Sequence, residues 1–448
     1  MNKIKSIISI IVLCGIFTGC DKYLDLSPSQ SISDDVALLT DESVKLVLQG
    51  AYNQFALPGI YGGNILRNAE LLGGDDEILW VGTYIDPRQI FNKTMIATNS
   101  EAEAHWANSY AVINTVNNVI KALPVVKEAD RDVVEGEALF LRGLMYFDLV
   151  RFFAEQYKFG TPNTQLGVPL VLKPTGAISE SDYVHRNTVE EVYAQVITDL
   201  TAAASQLPED NDVYASSGAA KALLARVYLQ KGEYDKARDN ANAVIASDMY
   251  SILPSYASVF DNDNNSAEDI FATQITPQDR FSAMTEYFSV PEFGGRDGDI
   301  EILDAHLELY SPGDERLDLF TVRNGAERTD KWNNQYGVIN IIRLAEMYLI
   351  RAECNQRLGT TVGATPLADY NEIHTRAGLD PATSVTLDAI LLERRLELAF
   401  EGFKIHDMRR LHQNVGIRSY TDPKLIFPIP AREIQANPGL KDEQNTGY

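Results

Sequence analysis

Ala220-Lys-Ala-Leu-Leu-Ala-Arg-Val-Tyr-Leu-Gln-Lys-Gly-Glu-Tyr-Asp-Lys-Ala237 decides the fold. Ala225, Tyr228, Gly232, Tyr234, Ala237 and Ala241 set small residues against aromatic ones at helical spacing. Small residues let two antiparallel helices approach, and the rings fill the groove between them. Residues 340–359 repeat the pattern with Ala345, Tyr348 and Ala352. Residues 364–377 supply the second helix of that pair, and 386–403 a further one. Upstream, Trp106, Tyr110, Ile113, Val116, Ile120 and Leu123 recur at steps of 3 or 4 across 101–123, and Pro124 closes that helix. Val134, Ala138, Leu141, Met145, Leu149 and Phe152 form one stripe over 131–153. Thr188-x-x-Glu191 is a capping box ahead of Val192, Val196 and Leu200, and Pro208 ends that segment.

The small/aromatic alternation resembles a tetratricopeptide repeat. The predicted fold is mainly all-α, a scaffold of helix pairs at about 101–153, 188–248 and 340–403. Their uneven spacing describes a scaffold with insertions and excludes a regular array. Two stretches break the helical pattern: 57–100, rich in Gly, Asn and Asp, and 250–340, with Pro, Gly and aromatics. Irregular stretches of that length are functional or disordered, and their aromatic content argues against disorder. They are expected to carry the ligand platform.

Composition bounds the function. The 448 residues carry 39 Lys+Arg against 63 Asp+Glu, a formal charge of −24. That balance excludes non-specific nucleic-acid binding, which needs a basic footprint, and electrostatic docking on anionic lipid. Lys3 and Lys5 precede an apolar run over Ile7–Phe17, which ends at Thr18-Gly19-Cys20. Such a run is too short to span a bilayer, which takes ~20 residues. It reads as a secretory signal over 1–19. The cysteine after Thr-Gly gives it the look of a bacterial lipoprotein signal, with Cys20 lipidated (palmitate-type anchoring). Residues 20–40, polar and Ser/Asp-rich, form a tether, and 41–448 a single domain. Beyond Cys14 and Cys20 only Cys354 remains, so the mature chain has no internal disulfide to lean on.

No catalytic or metal signature stands out. The six His lack H-E-x-x-H spacing, and G-x-S-x-G, Walker and dinucleotide fingerprints are missing. Asp261-Asn-Asp-Asn-Asn-Ser-Ala-Glu-Asp269 has Ser266 and Ala272 where a calcium loop needs Gly and Glu, so it reads as a solvated loop. Glu393, Glu397 and Glu401 share one helix face with Arg394 nearby and read as an ion-pair network between helices. No cofactor, metal or catalytic residue is expected.

Eight motifs in order resemble the SusD/RagB family. They are Cys20-Asp-Lys-Tyr-Leu-Asp25, Arg142-Gly-Leu-Met-Tyr-Phe-Asp-Leu-Val-Arg151, Gly167-Val-Pro-Leu-Val171 and Arg186-x-Thr-Val-Glu-Glu-Val-Tyr193, followed by Arg343-Leu-Ala-Glu-Met-Tyr-Leu-Ile-Arg-Ala-Glu353, Arg376-Ala-Gly-Leu379, Glu393-Arg394-x-x-Glu397-Leu-Ala-Phe-Glu401-Gly402 and Phe427-Pro-Ile-Pro430. His374 and Lys404 stand where the family more often has Arg. The resemblance implies a right-handed superhelix of helix pairs. It implies a lipid-anchored protein on the outside of the outer membrane that binds a glycan or oligosaccharide, or in some members a peptide. It also implies a partner, a SusC-like TonB-dependent transporter that the protein caps for import. Such proteins bind and do not catalyse. A secreted glycoside hydrolase, which needs a carboxylate pair, and a helical adaptor for proteins alone are the competing classes.

Sugars offer flat C–H faces and many hydroxyls, so a site needs loop aromatics beside Asn, Asp and Arg. The first irregular stretch offers Asp75, Asp76, Trp80, Tyr84 and Arg88, and the second Tyr287, Phe288, Phe293 and Trp332, with Phe281, Arg296 and Asn334 nearby. Trp80 and Tyr84, spaced i, i+4 in a Gly/Asp-rich setting, are expected on one side of a short turn. Trp106, on a helix stripe, is expected in the core.

Overall fold

In a computed structural model, residues 38–176, 183–278 and 281–448 are described. The leader, Cys20 and the tether up to residue 37 lie outside them.

The first four helices are α1 (Asp41–Phe55), α2 (Asn64–Gly73), α3 (Ile85–Asn92) and α4 (Ser100–Lys121). The next four are α5 (Arg131–Phe153), α6 (Val189–Gln206), α7 (Ser217–Lys231) and α8 (Tyr234–Ile245). Two short ones follow, α9 (Ala283–Phe288) and α10 (Asp304–Leu307). The last five are α11 (Leu344–Leu358), α12 (Pro366–Arg376), α13 (Leu387–Glu397), α14 (Lys404–Arg410) and α15 (Ala431–Ala436). The strands are β1 (Ile78–Trp80), β2 (Asp269–Thr273), β3 (Ile300–Ile302), β4 (Phe320–Arg323), β5 (Ala326–Thr329) and β6 (Ile339–Arg343).

Packing runs in series. α1 lies on α4, α4 on α5, α5 on α6, α6 on α7 and α7 on α8. α8 then packs on α11, and α11 on both α12 and α13. This is the stack of helix pairs that the small residues permit: Ala219, Ala220, Ala222 and Ala225 of α7 and Ala237 and Ala241 of α8 are fully buried. Gly232 ends α7 at φ +75, a left-handed turn that glycine takes without strain. Thr188 accepts the Glu191 amide while Glu191 caps the Thr188 amide, the reciprocal box that the sequence predicts. Trp106 is core, as expected, at 3% exposure. One contiguous core extends from Val44 to Leu440.

The irregular stretches are more ordered than expected. Residues 57–100 contain α2, β1 and α3. Residues 250–340 contain β2 to β5, α9 and α10. The expected helix over 340–359 begins four residues late, because Ile339–Arg343 forms β6 against β2. All five β6 residues are buried, and a run rich in β-branched residues suits a covered strand. The expected helix over 386–403 stops at Glu397. Phe400 at φ 62 and Gly402 at φ 87 then turn the chain.

Candidate ligand-binding site

β1 and β3 pair antiparallel, with Ile78 opposite Ile302 and Trp80 opposite Ile300. The pairing runs on as the Val81 amide donates to the Asp299 carbonyl at 2.9 Å. This short ladder joins the two insertions and has two different ends.

At the Trp80 end, side chains from five segments converge. Tyr84 precedes the first turn of α3 and is 45% exposed. The Arg296 guanidinium lies 3.8 Å from the centre of its ring. Arg296 is itself held by the Asp299 carboxylate at 2.9 Å and donates to the Thr83 hydroxyl at 3.0 Å. Tyr287 of α9 meets Tyr84 edge to face with ring centres 6.2 Å apart, and Trp80 lies 5.9 Å from Tyr287. Beneath, the buried Arg67 of α2 stacks on Tyr287 at 4.1 Å and pairs with Glu101 of α4 at 2.5 Å. Cation–π contacts of this kind hold ring planes in place. The Trp80 indole nitrogen is buried with no protein partner, and so is the Asn64 side-chain oxygen. Burial pushes the Glu286 carboxyl above its usual range, against the pull of Arg67 and Arg296. Burial also pushes the Tyr287 hydroxyl up to about 12, so it stays protonated and can donate. The arrangement presents one ring, Tyr84, backed by the buried Trp80 and Tyr287, with charged and hydroxyl groups at its edge.

The structure redistributes the predicted residues. Tyr84, Trp80 and Tyr287 come together, with Tyr84 presented and the other two packed behind it. In place of the expected short turn, Trp80 closes a strand and Tyr84 caps the start of α3. Arg88 donates to the Gly82 carbonyl at 2.6 Å and so fixes the turn that carries Tyr84. Phe293 is half-buried under the Arg323 guanidinium at 4.7 Å. Phe288 and Trp332 are corrections: both are core residues. Phe288 is 0% exposed against Phe400, and the Trp332 indole donates to the Phe400 carbonyl at 3.2 Å. Neither has a ring face to give.

Asp75 and Asp76 are a further correction, because they sit beyond the opposite end of β1. Glu77 beside them accepts from Lys404 at 2.7 Å and from His306 at 2.9 Å, and pairs with Arg395. These groups floor a cavity of about 280 Å³ whose wall includes Leu391, Leu392 and Met408. Burial lowers Lys404 to about 8.

Arg67, Glu101, Glu286 and Asn64 went unread in the sequence. The signal for Arg67 was present, since Ile65, Ala69 and Leu72 mark α2 at helical spacing.

Two family models match the chain. One, described as "Starch-binding associating with outer membrane" (SusD-like), covers residues 22–229, and the other, the SusD family, covers residues 319–420. The chain belongs to the SusD/RagB family. A SusD-like protein of Formosa agariphila, P38, is 25% identical, with all of both chains covered. A SusD superfamily crystal structure from Bacteroides thetaiotaomicron superposes with a TM-score of 0.80 at 26% identity, covering 89% of this chain and 98% of that one. The surface glycan-binding protein A of Bacteroides uniformis shares the fold at TM-score 0.76 and 22% identity, covering 91% and 99%. Among the described residues of this SusD/RagB chain, no helix is long and apolar enough to cross a membrane.

Proposed function

We propose that the protein captures a glycan on the cell surface, with the Tyr84 platform as its contact. The carrying observation is the half-exposed Tyr84 ring, held by Arg296 3.8 Å from its centre and by a T-shaped contact with Tyr287. A ring held this way presents its exposed part at little entropic cost, and the remaining bonding capacity of Arg296, Glu286 and Thr83 lies beside it for hydroxyls. Membership of the SusD/RagB family supports the reading, as does the glycan-binding name of the Bacteroides uniformis relative. Lipidation at Cys20 would tether the protein to the outer membrane, facing outward. Captured ligand would pass to a SusC-like TonB-dependent transporter that the protein caps. Binding, not turnover, is the activity.

Calorimetry of the purified protein against amylopectin, xyloglucan and mannan tests the site. Saturable binding that weakens at least ~10-fold in Tyr84→Ala, the loss of about 1.4 kcal/mol, is the expected result. Equal binding by the variant refutes the platform. Capture of peptides alone refutes the glycan and keeps the family role.

A further inference from the structure

A second opening lies between the C-terminal end of α1, the turn before α7 and the tail of β2. It encloses about 400 Å³, within the ~300–1,000 Å³ span of small-ligand sites. In a chain of charge −24, every described side chain lining it is uncharged. The rings of Tyr52 and Tyr214 meet edge to face, 4.9 Å between centres, and Phe55 packs on Phe271 at 5.6 Å. Both tyrosine hydroxyls are engaged by the protein: Tyr52 accepts from the Ala215 amide at 3.1 Å, and Tyr214 from the Gln49 side chain at 3.0 Å. The carbon edges and faces of the half-buried rings therefore remain for a ligand. Gln274 commits its amide nitrogen to Asn265 at 2.7 Å and to the Ala272 carbonyl, which leaves its oxygen as an acceptor. Asn53, exposed at the rim, adds a donor and an acceptor.

We infer that this opening is a second subsite, one that takes a neutral carbohydrate independently of Tyr84. An ionic ligand would shed its hydration there with no opposite charge among the described lining side chains to meet it. A purely hydrocarbon ligand would cover the amides of Asn53, Gln274 and Gln278 and leave them unpaired. Sugar rings carry C–H faces for the aromatic walls and hydroxyls for Asn53 and Gln274. The walls come from three distant segments that are already bonded together, so little ordering is left for the ligand to supply.

Calorimetric titration with maltohexaose, cellohexaose, xylohexaose and mannohexaose is the test, on wild type, Tyr84→Ala, Tyr214→Ala and Asn53→Lys. Melting curves check each variant. Asn53→Lys places a cation at an exposed position and keeps the test alive if Tyr214→Ala fails to fold. The expected result is two equivalents of one of these sugars in wild type and one in Asn53→Lys. Tyr84→Ala should remove the other equivalent. One equivalent, lost in Asn53→Lys and kept in Tyr84→Ala, supports this subsite and overturns the platform. One equivalent with the reverse sensitivity overturns this subsite alone. Two equivalents untouched by Asn53→Lys and Tyr214→Ala also overturn it. A wild type that binds none of the four overturns both.

Discussion

Glu397 is wholly buried and meets Arg343 and Arg376, with Arg316 3.7 Å away. Burial alone would push its carboxyl up, but Arg376, Arg343 and Arg316 outweigh it and hold it at about 2. Glu393 pairs with Arg316 at 2.7 Å, and Glu401 with Lys331 at 2.8 Å and Arg343 at 2.7 Å. Removing one member strands the others without water. Glu397→Ala should therefore cost about 3–5 kcal/mol in denaturant unfolding. A loss under ~1 kcal/mol would mean that the cations find other partners. The i, i+4 acids were legible in sequence as a network. Their cations were not, because Arg316, Lys331 and Arg343 arrive from another part of the chain. The same limit hid the fate of Trp80. Its setting reads as an exposed loop, yet pairing with Ile300 covers it.

Helices reveal themselves through local chemistry, and their ends can be tested singly. Thr188→Ala removes one half of the box at the start of α6. About 1 kcal/mol of stability should go with it, read as a shift in the urea midpoint. Gly232→Ala forces a side chain into φ +75 and sets its Cβ 3.2 Å from Phe159. A loss of about 1 kcal/mol is expected from the backbone alone. An unchanged midpoint would show that the turn relaxes. Strands are less legible at this scale. Ile339–Arg343 is a short apolar run, and periodicity does not separate a buried strand from a helix start. Its partner β2 decides the matter from residues 269–273.

Buried titratable groups make the whole molecule acid-sensitive. Burial lowers His306 to about 3 and His105 to about 4, and His406 well below its ordinary value. An unfolded His binds its proton near pH ~6.5. The unfolded state thus gains protons first, and stability falls as pH drops from about 6.5 toward 4. Glu397 adds a second loss as pH falls from its unfolded value near ~4.3 toward about 2. Asp261, pushed up to about 6 by burial, works the other way: its contribution is present at low pH and is lost as pH rises through about 6. Glu70, Glu137, Asp269 and Asp369, also raised by burial, act in the same sense as Asp261; the three histidines should dominate above pH ~4.3, where Glu397 is ionised in both states. The guanidinium midpoint should then drop steadily between pH 7 and pH 4, and a flat profile over that range would contradict the assignment.

The three-residue ladder between Ile78 and Ile302 has a consequence in time. The α4–α8 helices can stack as the chain leaves the ribosome, because each meets its neighbour in sequence. Tyr84 cannot meet Tyr287 until the chain past Ile300 has been made, and such distant closures are slow. Recognition at Tyr84 therefore follows the stacking of α4 to α8. A product truncated before Ile300 should keep its helical signal and be blind to sugar at the Tyr84 platform.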